Sequence, residues 1–308
     1  MPLRVCIPWL SDDDFAAALH EHAAGLDVRL SKDDVAAEIL VAGVPEPDLV
    51  DRLAALRAIV IPYAGVPKRT RELVAARGGL ALHNLHHNAV PTAETAVALM
   101  LAAAKSVVPI DRALRAHDWR PRYALRHDLL CDGATTVVLG AGAIGSHIGK
   151  LCTGLGMNAV PVRRGDGANW RERIANASAL FVSVPWTEQT EGMVDAAALA
   201  QLPDGCIVVN VSRGPVIDED ALYQQLSQGR LSAALDVWWN YPQDEDAREH
   251  TPPANHPFHE LDNVVMSPHR AGHCDGIERL RAQHLARLLD AAVRGEEMPN
   301  RVDLERGY

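Results

Sequence analysis

Short apolar runs alternate with amphipathic segments along the first third of the chain. Four of these runs predict β-strands: LRVCI, ILVAG, AIVIPYAG and LALHN. The amphipathic segments between them predict helices over residues 12–24, 48–56 and 67–75. Strands that alternate with helices are typical of a parallel sheet covered by helices.

A second series of apolar runs begins after an Ala-rich helix predicted over residues 91–108. Its runs are TTVVLG, NAVPV, ALFVSV, CIVVNV, LSAALDV and NVVMS. A last helix, predicted over residues 276–294, follows the final run without a strand of its own and could return to the first domain. We therefore expect an α/β protein with two doubly wound parallel-sheet domains, formed by residues 1–103 with 275–308 and by residues 104–274, and a cleft between them.

Composition narrows the class of protein. The chain has 308 residues, 48% of them hydrophobic, and a formal net charge of −10, which opposes non-specific binding to nucleic acid. Its longest strongly apolar run, residues 96–104, is far short of the roughly 20 residues that span a bilayer. The beginning of the chain shows no signal segment, and the five scattered cysteines have no CxxC spacing. We expect a cytoplasmic protein that does not bind membranes.

The segment GAGAIG lies between a predicted strand and a predicted helix. In that context Gly140 permits the tight turn, Gly142 admits a pyrophosphate close to the backbone, and Gly145 lets the helix pack on the sheet. The start of the helix, at Ala143 and Ile144, offers free N–H groups and a partial positive charge to phosphate. This arrangement predicts a dinucleotide site.

The next strand ends in two arginines instead of the acidic residue that commonly binds the ribose of NAD. Arg163 and Arg164 can bind a 2′-phosphate with charge-assisted hydrogen bonds, whereas a carboxylate would repel it. We therefore expect NADP as the preferred cofactor. NAD remains the alternative, because Asp166 could still serve a ribose and the arginines could be solvated or stack on adenine.

Four ordered blocks give the chain a family resemblance: VVLGAGAIGSHIGKLCTGLGM, VSVPWTEQTEGMVDAAALAQLPDGCIVVNVSRGPVIDEDAL, GRLSAALDV and LDNVVMSPHRAG. Together with VPTAETAVALMLA, they resemble the D-isomer-specific 2-hydroxyacid dehydrogenase family. The resemblance implies a Rossmann-like cofactor domain and a flavodoxin-like substrate domain built from both chain ends. It also implies reversible hydride transfer between NAD(P)H and C2 of a 2-oxo or 2-hydroxy acid.

The resemblance assigns roles to single residues. Arg213 in NVSRGP matches the family's catalytic arginine, and His269 in SPHRAG matches its acid/base. The remaining cofactor contacts that it implies, besides His269, are Val184, Pro185, Val211, Ser212, Asp236 and Gly272. On the substrate side it implies Arg213, His273 and the turn formed by Tyr63, Ala64, Gly65 and Val66, whose N–H groups can bind an anion.

The stretch LDVWWNYPQDE departs from the family pattern. A glutamate usually precedes this proline and pairs with the catalytic histidine, but here the position holds Tyr241. A neutral phenol can orient His269 but stabilises imidazolium less, so we expect His269 to titrate lower than with a glutamate. The alternatives are that Tyr241 faces substrate, or that Asp244, Glu245, Glu260 or His273 replaces the missing partner.

The histidines of LHNLHHN follow a substrate-domain strand. Family placement makes His86, His87 and Asn88 candidate substrate contacts, and with Arg213, Arg270 and His273 they could favour a substrate with a second anionic group. We expect no metal site, since these histidines lack a cysteine pair or an HExxH spacing. The apolar helix from Pro91 predicts a homodimer. Two less favoured functions are a non-catalytic NAD(P) sensor and a formate dehydrogenase-like enzyme.

Overall fold

The computed structural model describes residues 1–11, 13–124 and 128–308. This part of the chain divides into two compact units: Met1–Asn88 with Cys274–Tyr308, and Ala89–His273. Each unit has one parallel sheet with helices, which confirms the predicted α/β fold. The expected boundary after residue 103 differs from this division by one long helix, which packs on the strands of the second unit.

The first unit has a five-stranded sheet of order β2-β1-β3-β4-β5. Its strands are β1 Leu3–Cys6, β2 Val28–Ser31, β3 Ile39–Val41, β4 Ala58–Ile61 and β5 Ala81–Asn84. Its helices are α1 Asp14–Ala23, α2 Pro47–Arg52, α3 Lys68–Arg77 and, from the far end of the chain, α10 Ile277–Val293. Side chains alternate between two cores: Ile39 and Val41 face α1 and α10, whereas Leu40 faces α2 and α3.

The second unit has a six-stranded parallel sheet of order β7-β6-β8-β9-β10-β11. Its strands are β6 Thr135–Leu139, β7 Asn158–Val162, β8 Ala179–Val182, β9 Ile207–Asn210, β10 Ser232–Leu235 and β11 Val264–Met266. Its helices are α4 Ala89–Ala104, α5 Val107–Arg115, α6 Ala143–Gly154, α7 Trp170–Arg173, α8 Ala196–Gln201 and α9 Glu219–Ser227. The inner strands β6, β8, β9 and β10 are buried on both faces and form long apolar runs, whereas the edge strands β7 and β11 each have exposed residues.

Two details differ from the sequence-based expectations. Strand β2 was not predicted, because it is an edge strand with the mixed sequence VRLS and no fully buried residue. The single helix predicted over residues 91–108 is wrong: α4 ends at Ala104, Ser106 adopts a left-handed φ of 51°, and α5 begins at Val107. Pro109 explains the break, since its ring would clash with the carbonyl of residue 105 in a continuous helix. Asp12, placed in the first predicted helix, lies outside the described residues.

Across the described ranges, none of the helices taken alone is long and apolar enough to cross a membrane. Only α4 and α5 taken together, although bent by 65° at their junction, meet the criteria of length and composition.

Candidate functional site

The glycine-rich loop of the second unit is packed tightly against the neighbouring strand end. Gly140 has a φ of 93°, and a Cβ there would lie 2.7 Å from the Val184 nitrogen and 2.8 Å from the Ser183 carbonyl carbon. A Cβ on Gly145 would overlap the Gly140 carbonyl oxygen. The Ser183 hydroxyl donates to that oxygen over 2.8 Å and holds the turn. Both glycines are therefore required by close backbone approach, as the motif predicted.

The first turn of α6 leaves its N–H groups available. Gly142 is the N-cap residue and has no side-chain capping bond, and the first helical bond runs from the Ser146 nitrogen to the Gly142 oxygen over 2.9 Å. Within the described ranges, the N–H groups of Gly142, Ala143 and Ile144 have no protein acceptor. Free donors and the positive end of the helix dipole suit a diphosphate. These residues can hold the pyrophosphate of a dinucleotide.

The end of β7 carries the two arginines predicted to select the cofactor. Both side chains are exposed, and the Arg164 guanidinium donates to the Gln189 side chain over 2.8 Å. The Asp166 carboxylate accepts from the Arg163 backbone N–H over 2.8 Å and forms an ion pair with Arg173 over 3.1 Å. Both contacts are made to Asp166 Oδ2, which leaves that oxygen less capacity for a ribose hydroxyl than the sequence suggested.

The other predicted cofactor contacts lie at carboxyl ends of strands in the same sheet. Val184 and Pro185 follow β8; Val184 is partly buried, Pro185 is exposed, and the Pro185 oxygen accepts from the Thr190 hydroxyl over 2.6 Å. Val211 and Ser212 follow β9 and are buried, while Gly272 follows β11 and is half-buried. Because this edge of a doubly wound sheet is where ligands bind, the placement agrees with a cofactor site.

Arg213 is held at the end of β9 by a buried asparagine. The Asn210 amide donates to the Arg213 carbonyl oxygen over 2.9 Å and its oxygen accepts from the Ser212 N–H over 3.0 Å. The Arg213 guanidinium donates to the Ser212 carbonyl oxygen over 2.6 Å. Sequence reasoning did not select Asn210, although a polar residue that closes the buried run CIVVN was the available signal. Asn210 fixes the bend that presents the arginine.

His269 lies in a loop organised by Asp236. The Asp236 side chain is 1% exposed, and its carboxylate accepts from the Ser267 hydroxyl and from the backbone N–H groups of Arg270 and Ala271 over 2.5 to 3.1 Å. The His269 N–H donates to the Asp236 carbonyl oxygen over 2.7 Å, and His269 adopts a left-handed φ of 57°. A non-glycine residue in this region is strained, and strain of this kind is common at functional sites.

Asp236 therefore has a structural role besides the one that the resemblance implied. Its carboxylate is buried and engaged by the 267–271 loop, so it shapes the loop that carries His269. A contact with the nicotinamide carboxamide stays a prediction, because only Oδ2 retains free acceptor capacity.

The local charges act on the acid/base properties of His269. Desolvation lowers the pKa of the imidazole below its ordinary value, the positive charge of Arg213 lowers it further, and the Asp236 carboxylate raises it. His273 also lowers the pKa of His269 and is not its hydrogen-bond partner. The downward direction agrees with the expectation for a histidine that lacks a glutamate partner.

Two of the three acids proposed as substitutes for that glutamate are engaged elsewhere. Asp244 accepts from the Ala247 N–H over 2.9 Å, and Glu245 pairs with Arg248 over 2.6 Å. Glu260 lies 3.9 Å from the adjacent His259.

Tyr241 contacts His269 through its ring rather than its hydroxyl. The two ring centroids are 5.5 Å apart and the planes are tilted by 57°. The phenol oxygen accepts from the Trp238 N–H over 3.1 Å, and burial raises the pKa of the phenol. Tyr241 therefore stays neutral and braces one side of the imidazole by packing, and hydrogen bonding to His269 is not how it orients the ring.

Gly214 brings the Arg213 loop against the segment that leads to Tyr241. A Cβ on Gly214 would overlap the Trp238 carbonyl group and lie 2.8 Å from the Trp239 nitrogen. The Trp238 indole donates to the Ser267 carbonyl oxygen over 2.8 Å and so links this segment to the histidine loop. Arg213, Tyr241 and His269 are thereby brought together within the second unit.

The first unit presents the predicted anion-binding turn at the end of β4. The Asn84 amide donates to the Ala64 oxygen over 2.7 Å, and the Leu85 N–H donates to the Tyr63 oxygen over 3.3 Å. In the described part of the chain, the consecutive N–H groups of Ala64, Gly65 and Val66 have no protein acceptor. The carbonyl oxygens of Tyr63 and Ala64 are thus bound by residues at the end of β5 and directly after it, and the three backbone N–H groups remain for a ligand.

The histidines that follow β5 do not carry the charge that was expected of them. His87 is 4% exposed, and burial together with the positive charge of Arg281 lowers its pKa to about 4. Desolvation also lowers the pKa of His86. The lowered pKa values favour the neutral form of both rings at neutral pH, so neither adds positive charge there, and their contact with the substrate stays a prediction. Among the residues that the structure describes, His87 Nδ1 and Asn88 Oδ1 are buried without a hydrogen-bond partner.

Residues 97–271 match the family model described as "D-isomer specific 2-hydroxyacid dehydrogenase, NAD binding domain", which covers more than half of the chain. A D-3-phosphoglycerate dehydrogenase of Archaeoglobus fulgidus is 33% identical over 71% of this chain and 42% of its own length. A glyoxylate reductase of Korarchaeum cryptofilum is 33% identical over 70% of this chain and 66% of its own length.

Both curated relatives thus extend well beyond the part that this chain matches. Among solved structures, a D-isomer specific 2-hydroxyacid dehydrogenase from Xanthobacter autotrophicus Py2, in complex with NADPH and MES, superimposes with a TM-score of 0.77. It is 23% identical and the match covers 100% of both chains, which supports the fold.

Proposed function

The chain belongs to the D-isomer specific 2-hydroxyacid dehydrogenase family, and from this premise we propose that it catalyses reversible hydride transfer between a nicotinamide cofactor and C2 of a small 2-oxo or 2-hydroxy acid. One observation carries the proposal: Arg213 and His269 follow strand ends at the carboxyl edge of the second sheet, where the Arg213 charge acts on His269, in the same unit as the free N–H groups of the glycine-rich loop. A bound nicotinamide would supply the hydride in reduction and accept it in oxidation.

The residues divide the rest of the chemistry between them. The Arg213 guanidinium is a planar fork of donors, suited to a carboxylate and to the oxygen on C2, whose negative charge grows as hydride adds to C2. Protonated His269 donates its proton to that oxygen during reduction, and the neutral ring accepts it during oxidation. Asp236 holds the histidine loop in place, and Tyr241 limits the rotation of the ring.

The direction of the His269 shift gives the proposal a pH dependence. Its pKa lies below the ordinary value of about 6.5, so the imidazolium needed for reduction is lost as pH rises through a value below 6.5. Oxidation of a 2-hydroxy acid, which needs the neutral ring, gains rate over the same interval.

A panel assay tests the reaction. Loss of NADPH or NADH absorbance is measured with glyoxylate, hydroxypyruvate and longer 2-oxo acids, using wild type, His269→Gln and Arg213→Gln. His259→Gln serves as the control because His259 is an exposed histidine. Both site variants should lose at least about 100-fold in kcat/KM while they retain cofactor binding. Normal turnover in His269→Gln would refute the mechanism.

For the cofactor, we propose a preference for NADP over NAD. The exposed Arg163 and Arg164 at the end of β7, together with the engagement of Asp166 by Arg173, support it, and a structural neighbour was crystallised with NADPH. Replacing both Arg163 and Arg164 with Ala should lower kcat/KM for NADPH by about tenfold or more and leave the value for NADH nearly unchanged. Equal losses with both cofactors would contradict this preference.

We further propose that the substrate carboxylate binds the free N–H groups of Ala64, Gly65 and Val66, and that the protein acts as a homodimer. Helix α5 buries none of its residues, and large apolar side chains are exposed along it and beyond it: Val107, Val108, Leu114, Trp119, Tyr123 and Leu130. A second copy would cover this surface. The five free cysteines fit a reducing, cytoplasmic location. Light scattering of wild type and Leu114→Glu tests the dimer.

No observation on the described residues favours the sensor or the formate dehydrogenase-like alternative. Both need a site in which proton transfer is absent or dispensable, whereas here a histidine is held in a strained conformation next to an arginine.

A further inference from the structure

The end of β3 in the first unit holds a glycine directly beneath an aromatic ring. A Cβ on Gly43 would overlap the Tyr63 hydroxyl oxygen and would lie 2.6 Å from Cζ and 2.8 Å from Cε1 of the same ring. Strands β3 and β4 are neighbours in the sheet, so the residues that follow them meet at one edge. The Tyr63 phenol therefore lies across the Gly43 backbone, in space that any larger residue would fill.

The backbone at Gly43 is anchored from both sides. The Thr70 hydroxyl, on a side chain that is 1% exposed, donates to the Gly43 oxygen over 2.6 Å. The Ala42 N–H donates to the Val60 oxygen over 3.0 Å, and the Trp9 indole donates to the Val41 oxygen over 3.1 Å. A side chain introduced at Gly43 would therefore displace the Tyr63 ring rather than the strand.

Tyr63 is the first residue of the turn whose N–H groups are unpaired. Its side chain is 38% exposed, and its hydroxyl has no hydrogen-bond partner in the part of the chain that the structure describes. Its backbone is fixed by the Leu85 N–H, and the next residue is fixed by Asn84. Within the described residues, the ring is therefore the part of Tyr63 that no hydrogen bond holds. Gly43 determines where the ring lies, because it leaves open the space that the ring occupies.

We infer that Gly43 is a positioning residue that seats the Tyr63 phenol at the anion-binding turn, where its hydroxyl donates to the carboxylate of a bound 2-oxo acid. The inference rests on the proposed function and adds a fourth donor, from a side chain, to the three backbone N–H groups. It assigns to Gly43 a role in substrate affinity that neither the glycine motif nor the family resemblance indicated.

The kinetic test is a double-mutant comparison of Gly43→Ala, Tyr63→Phe, Tyr63→Ala and Gly43→Ala/Tyr63→Ala with glyoxylate. Gly43→Ala and Tyr63→Phe should each raise the KM for glyoxylate about three- to tenfold, with kcat and the KM for the cofactor nearly unchanged. The double variant should match Tyr63→Ala alone, because Gly43 acts only through the ring. Gly154→Ala is the matched control, since a Cβ there meets no atom within 4 Å.

Two kinetic outcomes would overturn the inference. If Gly43→Ala raises KM as much in the Tyr63→Ala background as in wild type, Gly43 acts through the backbone. If Gly43→Ala leaves KM unchanged, the seating of the ring has no effect on substrate.

A second measurement keeps this test separate from the proposed activity. In protein labelled with ¹³C-tyrosine, the Tyr63 signal is identified by its loss in Tyr63→Phe, and oxalate is added as a non-reducible carboxylate. Oxalate should shift this signal in wild type and shift it much less in Gly43→Ala. The absence of a shift in wild type would overturn the inference, whereas a shift without turnover of any 2-oxo acid would refute only the proposed reaction.

Discussion

Lowering the pH should destabilise the first unit through the buried histidine His87. The side chain is 4% exposed, and its pKa of about 4 lies far below the ordinary value of 6.5. The main cause is desolvation, followed by the positive charges of Arg281, His284 and His86. Since the folded state binds the proton less tightly than the unfolded state, protonation favours unfolding.

The sign and the size of the effect follow from the two pKa values. Above about pH 6.5 the ring is neutral in both the folded and the unfolded state, so its titration does not change the free energy of unfolding. As pH falls from 6.5 towards 4, His87 is protonated in the unfolded state but not in the folded state. The free energy of unfolding therefore decreases until the pH reaches the pKa of the folded state. Between about pH 7.5 and pH 5 the loss amounts to about 2 kcal/mol.

The assay compares wild type with His87→Gln, whose side chain does not titrate. Urea unfolding is followed at both pH values by hydrogen–deuterium exchange of peptides from β5 and α10, which report on the first unit. The wild type should lose about 2 kcal/mol more than the variant between the two conditions. His259→Gln, at an exposed histidine, serves as the control.

An equal pH dependence in wild type and His87→Gln would refute the reasoning. It would mean that water enters or the structure rearranges around the His87 ring at low pH, so that the ring is no longer buried when it takes up its proton.

Three further substitutions test the second unit. Asp236→Asn removes the negative charge that binds the 267–271 loop, so thermal unfolding should show a loss of about 2 to 3 kcal/mol in the free energy of unfolding. The pKa of His269 in the pH–rate profile should fall, because the Asp236 charge raises it. An unchanged pKa would contradict this interaction between Asp236 and His269. Gly214→Ala should cost about 3 kcal/mol or more, because its Cβ meets the Trp238 backbone, and near-native stability in denaturant unfolding would be the contrary result. Tyr241→Phe should lose about 1 to 3 kcal/mol by leaving the Trp238 N–H unpaired, with only a small change in the pH profile; a large change would restore a direct role for the phenol hydroxyl.

The sequence was sufficient to predict the parallel sheets, because strands buried on both faces are continuous apolar runs. Every run predicted as a strand forms one, and the loops that carry Arg213 and His269 follow strand ends as expected. Edge strand β2 was missed for the opposite reason, since VRLS has no apolar run. The end of α4 was predictable from Pro109, but the apolar composition of the segment concealed it.

The partners within the site were harder to predict than its residues. Tyr241 was recognised as a departure from the family pattern, yet the partner of its hydroxyl, the Trp238 N–H, depends on the local turn of the backbone. The charge state of His87 depends on burial and on the charges of Arg281 and His284 in α10, which is distant along the chain. Neither long-range packing nor a loop conformation is encoded in spacing.

Asp236 and Asn210 show how a site without the usual glutamate can still be preorganised. Each is a buried polar residue at the end of a strand or directly after it, and each spends its hydrogen bonds on the backbone of the loop that carries a catalytic candidate. A buried carboxylate bound to several N–H groups is rigid, because any movement would leave donors unpaired in a low-dielectric region. The left-handed His269 is therefore held by its own loop and braced by the Tyr241 ring, so orientation of the imidazole and tuning of its pKa are separate functions here. A glutamate would combine both in one contact. Because the two functions are separate here, His269 keeps a lowered pKa, which favours the neutral ring. In the proposed reaction, reduction needs the protonated ring and is therefore the direction that rising pH slows.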